Sequence, residues 1–246
     1  MKAVSAREVA SWLIDHDSAR SLATSEGIPD IFGSYTRIFP PVDVYRNSPE
    51  GSEIDGQITW REVAEARGKK MHARVQFKPI SVPMDEEVGD SGWFLYDVGQ
   101  GEMRWQTFLA LAPLMMNPPS AATIFMAYFV DLEETESIHA DLWTIDLPPE
   151  AYLNLSRRSY RIFESTLDEL LSAGGDDWPA PVIGFGPQIV WDEAQTWCIA
   201  VDIDSTTAVV GSTHQLAAAI ARLSDVESMP VDFNTPLSWD ADDINT

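Results

Sequence analysis

The chain has 246 residues, 45% of them hydrophobic and nine of them tryptophan, which fits a folded protein with a sizeable core and excludes a disordered one. A single cysteine, Cys198, excludes an internal disulfide framework and a multi-cysteine zinc site, and fits a reducing compartment. The net charge is −23 and lopsided: residues 1–78 hold 11 basic and 11 acidic side chains, and the rest of the chain holds 28 acidic side chains against five arginines and no lysine. Such a surface repels nucleic acid and anionic membranes and attracts basic proteins at long range.

Lys2, Arg7, Glu8 and Asp15 interrupt any apolar secretory segment. The longest apolar runs, Phe108 to Met116 and Ala121 to Val130, fall short of the roughly 20 residues a bilayer needs. The expectation is a soluble, cytoplasmic protein.

In chain order, Ser5 and Glu8 stand at capping-box spacing before Val9, Trp12 and Leu13, which predicts a short amphipathic helix. Tyr35 to Phe39 predicts a strand stopped by Pro40-Pro41. Thr59 and Glu62 open a second helix, ended by Gly68. Met71 to Ile80 alternates Ala73, Val75 and Phe77 with Arg74, Gln76 and Lys78, which predicts a strand. The acidic loop at 83–92 is the candidate sub-boundary in an otherwise single integrated domain.

Trp93 to Val98 predicts a strand, Met103 to Met116 a helix disturbed by Pro113, and Ala121 to Leu132 a central strand. A second acidic loop spans Glu133 to Asp141, and Pro148-Pro149-Glu150 suits a helical turn. Tyr160 to Glu164 predicts a strand, and Thr166 with Glu169 caps a helix ended by Gly174-Gly175. Trp191 to Leu223 predicts strand, turn, strand and helix: Thr196 to Ile203, a turn at Asp204-Ser205-Thr206, Thr207 to Val210, then a helix opened by Ser212 and Gln215. The acidic tail from Asp240 to Asp243 predicts a solvated end. Without regular βαβ alternation, the fold class is α+β: a mixed, mainly antiparallel sheet, short flanking helices and a C-terminal ββα unit.

No complete catalytic set emerges. Val201 to Thr206 resembles the first motif of haloacid-dehalogenase-type phosphatases, a resemblance that implies a nucleophile at Asp202 and an acid/base at Asp204. The lysine such an enzyme uses to neutralise the phosphoryl charge has no counterpart after Asp204. Gly89-Asp90-Ser91-Gly92 reads as a turn, Cys198 as a packed core thiol, and His16, His72, His139 and His214 show no metal spacing. Trp191 beside Asp192 and Glu193, and Trp239 beside Asp240, combine aromatic and acidic residues in the manner of a protein-binding patch, with a lid over the core as the alternative role for each tryptophan.

Thr36 to Pro41, Trp60 to Ala64, Met71-His72 with Gln76, the run from Val190 to Asp204, Val209 to Ser212, and the closing Asp240 to Thr246 together resemble a family of uncharacterised proteins associated with actinobacteria. That resemblance spans both ends of the chain and implies one integrated unit; it implies no activity. The leading expectation is a non-catalytic module for a basic protein partner, as an immunity or antitoxin protein would be, with no cofactor and an open oligomeric state. Two alternatives stand beside it: a metal-dependent hydrolase using Asp202 and Asp204, and a purely structural subunit.

Overall fold

The computed structural model describes residues 2–16, 28–46, 54–83, 86–89, 92–95, 98, 101, 103–115, 123–130, 152–155, 158–173, 178 and 186–245. The acidic loop 133–141, the turn at Pro148-Pro149-Glu150 and the glycines 174–175 lie outside them. The described strands are β1 (Lys2–Val4), β2 (Ser34–Phe39), β3 (Val42–Tyr45), β4 (Ile54–Ile58), β5 (Phe94–Leu95), β6 (Thr123–Val130), β7 (Tyr152–Leu155), β8 (Arg158–Thr166), β9 (Ile189–Asp192), β10 (Cys198–Val201), β11 (Ala208–Ser212) and β12 (Glu227–Val231). The described helices are α1 (Ala6–Val9), α2 (Ser11–Asp15), α3 (Trp60–Ala66), α4 (Phe77–Ser81), α5 (Trp105–Met115), α6 (Leu167–Ala173) and α7 (His214–Ile220). None of these helices is long and apolar enough to cross a membrane.

Among the described residues a nine-stranded sheet runs β1-β8-β6-β9-β10-β11-β2-β12, with β7 paired to β8, and its strands pair antiparallel. The α+β expectation therefore holds. Strand alternation sends successive side chains to opposite faces. Ile124, Met126 and Tyr128 of β6, with Ile199 and Val201 of β10, meet Phe108 and Leu111 of α5 and Ile220 of α7. Phe125 and Ala127, with Trp191, Cys198 and Ala200, meet Ala6, Trp12 and Leu13 of α1 and α2. Both faces are covered, which is why β6 reads as an unbroken apolar run and sits between β8 and β9, as its sequence predicted.

Pro40-Pro41 stops β2 and lets the chain leave the large sheet. It enters a three-stranded sheet, β4-β3-β5, whose core joins Phe39, Val42, Trp60, Val63, Phe77 and Ile80. Val88, from the stretch 83–92, packs in this same cluster. The capping box of α3 forms as predicted: the Thr59 side chain accepts from the Glu62 N–H at 3.1 Å, and the Thr59 N–H donates to Glu62 at 2.7 Å. Gly68 follows at φ +65°, a conformation glycine adopts without strain. Thr59→Ala is expected to lower stability by about 1 kcal/mol in chemical denaturation.

Several local expectations are corrected. Met71 to Ile80 is a loop followed by α4, because Arg74 and Gln76 bond the C-terminal tail rather than a neighbouring strand. Trp93 to Val98 yields only the two-residue β5 among its described residues. The cap of α7 is Thr213, which accepts from Leu216 N–H at 3.2 Å; Ser212 is the buried last residue of β11. Ser5 occupies the cap position of α1 but makes no side-chain capping bond.

Candidate functional site

The five residues of the expected binding patch separate. Trp191 is fully buried on β9, between the neighbouring strands β6 and β10. Its ring centroid lies 6.3 Å from that of Trp12 and 5.6 Å from that of Phe125. A side chain locked there is core, and the surface role is corrected on that ground. Asp192 is also corrected: it is buried and turns the β9–β10 hairpin, accepting from Thr196 N–H at 2.7 Å, the Thr196 hydroxyl at 2.7 Å and Trp197 N–H at 3.1 Å. These bonds close the hairpin loop, in which the Gln195 N–H donates to the Asp192 carbonyl at 2.9 Å and Gln195 itself stands at φ 57°. Glu193 remains exposed. Trp239 is 84% exposed and Asp240 beside it is exposed, accepting from the Ser238 hydroxyl at 2.7 Å.

An exposed tryptophan forfeits most of its burial energy, so what holds the tail in place matters. The expected solvated acidic end is corrected at Asp242, whose side chain is 1% exposed. Its carboxylate accepts from Asn245 N–H at 3.0 Å, Asn245 Nδ2 at 3.0 Å, Gln76 N–H at 3.2 Å and Ile244 N–H at 3.2 Å, and meets His72 Nε2 at 2.9 Å. Asn245 in turn brackets Lys70, accepting from its N–H and donating to its carbonyl, each at 2.9 Å. Burial by itself would raise the Asp242 pKa; the bonds from Asn245, Gln76 and Ile244 outweigh it and hold the group at about 2.

Behind this clasp, Arg37 of β2 is fully buried. Its guanidinium donates to the Thr207 hydroxyl and the Ala73 carbonyl, each at 2.9 Å, and lies over the Phe39 ring. Burial pulls it down to about 9, while the Asp242 charge works the other way. Glu227 of β12 does a similar job for α3, accepting from Trp60 N–H at 2.7 Å and Arg61 N–H at 3.1 Å. The Trp60 indole N–H also donates to the Pro40 carbonyl at 2.9 Å, so the segments 36–41, 60–64, 71–76 and 240–245, distant in sequence, are tied together by polar bonds. In the sequence these segments stand out only as carriers of a family resemblance, and their partnership is a product of folding.

Asp202 and Asp204 do come together, and a cation already joins them. Arg158 donates to Asp202 at 2.7 Å and to Asp204 at 3.1 Å, fastening the β10–β11 turn to the start of β8. Among the described residues no three His, Cys, Asp or Glu side chains converge as metal ligands do. Cys198 is buried on the face covered by α1 and α2.

Three of the four described arginines after Lys78 are held within the fold, and the fourth, Arg222, is exposed. Arg104 bonds the Pro41 carbonyl and Asp43, Arg158 neutralises the hairpin turn, and Arg161 is buried against Phe163. The carboxylates of Asp168, Glu193, Asp225 and Asp232 are exposed and pair with no cationic side chain among the described residues. No protein-family model, no curated protein and no solved structure matches the chain.

Proposed function

We propose that this protein is a non-catalytic binding module for a basic protein, acting as an immunity or antitoxin protein does. The observation that carries this reading is the fate of its charges: of the described arginines after Lys78, Arg104 and Arg158 are spent on carboxylates and a carbonyl of the fold, Arg161 is buried and Arg222 is exposed, while the exposed Asp168, Glu193, Asp225 and Asp232 pair with no cationic side chain among the described residues. A field of that sign steers a cationic surface into encounter and rejects nucleic acid. Trp239, presented at 84% exposure beside Asp240 on a tail clasped by Asp242, supplies the aromatic anchor such an interface uses.

The test is capture of a basic protein from the native host at low ionic strength, followed by titration of the purified pair. Between about 0.05 and about 0.5 M salt the screening length falls from roughly 14 Å to roughly 4 Å, and the Kd is expected to rise at least tenfold, mainly through slower association. A captured partner that is acidic, or an affinity indifferent to salt, would overturn the proposal.

A further inference from the structure

The face of the large sheet beneath α7 changes character toward its edge. Ile38, Ala208 and Val210 pack into the core with Ile220 of α7. Beyond them the same sheet presents Ser34, Thr36 and Ser228, and the helix presents Ala217, Ala218 and Ala221. Small side chains on both walls cannot meet, and they leave a groove of about 570 Å³ between α7 and the edge strand β12. A second hollow of about 330 Å³ shares Ala221 and Ser228 with it and is lined by Asp225, with Glu227 and Arg61, which pair with each other at 3.8 Å. Asp232 lines the first hollow, so each hollow carries an exposed carboxylate that pairs with no cationic side chain among the described residues. Ser34 and His214 form a polar pair at 2.5 Å beside the small-residue walls.

We propose that this groove receives an extended segment of the basic partner, its lysine or arginine stems lying on the alanine wall and Phe233 and its charged heads reaching Asp232 and Asp225. This assignment rests on the proposed function above and adds where the cationic chain lies. The volume falls within the roughly 300–1,000 Å³ of ligand sites, and the mixture of apolar wall and few polar groups is what long cationic side chains pack against. Pro230 of β12 lacks an N–H, which blunts that edge for strand addition, so side chains in the groove carry the contact.

The probe is a fluorescein-labelled peptide alternating lysine and alanine, titrated by anisotropy at low salt and mapped by backbone amide shifts. Binding is expected to move the amides of Ser34, Ala218, Ser228 and Phe233. Ala218→Trp, which fills the groove from an exposed helix position without altering charge, is expected to weaken binding about tenfold. Asp232→Asn is expected to weaken it severalfold, and decides the matter if Ala218→Trp loses its cooperative melt. Peptide binding that shifts other surfaces and ignores both substitutions would overturn the groove while leaving the basic-partner reading intact. Absence of any peptide binding at low salt, together with failure to capture a basic protein, would overturn both.

Discussion

Asp242→Ala is expected to lower folding stability by about 3–5 kcal/mol, measured as a drop in urea midpoint with an unchanged slope. The Asp242 carboxylate accepts bonds from three backbone N–H groups and the Asn245 side chain, and it lies in the field of the buried Arg37. Alanine would strand those donors and leave the guanidinium without its counter-charge. Asp242→Asn keeps the shape and some acceptors, and is expected to cost less.

The pH dependence has a definite sign. The folded pKa of about 2 lies below the usual 3.8, so the folded state favours the ionised form. The stabilisation is fully present above about pH 4, and it is lost as pH falls through about 2. The wild type should therefore lose stability across that window more steeply than Asp242→Asn. Parallel curves for the two proteins would contradict the clasp.

The second large effect contrasts two tryptophans that look alike in sequence. Trp191→Ala is expected to cost about 3–5 kcal/mol, since it opens a cavity between β9 and the helices α1 and α2. Trp239→Ala is expected to change stability by no more than about 0.5 kcal/mol, and to weaken binding of the captured partner by about 2 kcal/mol, roughly 30-fold. Thermal melts and titrations of the two variants separate the roles. Loss of stability without loss of affinity at Trp239 would remove it from the interface.

Both tryptophans stand next to acidic residues, and sequence alone leaves each open to a core-lid role or a surface one. Asp192 shows why the surface reading fails at one of them. A carboxylate beside a tryptophan reads as solvated, yet this one is consumed by the backbone of a tight hairpin, while strand alternation turns Trp191 inward. Asp202 and Asp204 are a similar case, since the Arg158 that joins them comes from 44 and 46 residues away. Local pattern fixes neither the direction of a strand's faces nor a long-range ion pair.

What the amino-acid order decided by itself is local and periodic. It decided the α3 capping box, the Pro-Pro break after β2, the continuous apolar β6 and the hairpin of β10 and β11, because each depends on residues within one turn or strand. It also decided the charge imbalance, which is a sum over the chain. Only the tertiary structure decided that 71–76 is a loop gripped by the tail, that Asp242 is buried, and that a groove opens under α7. Those outcomes depend on segments up to 175 residues apart competing for the same backbone groups, and no sequence window contains both competitors.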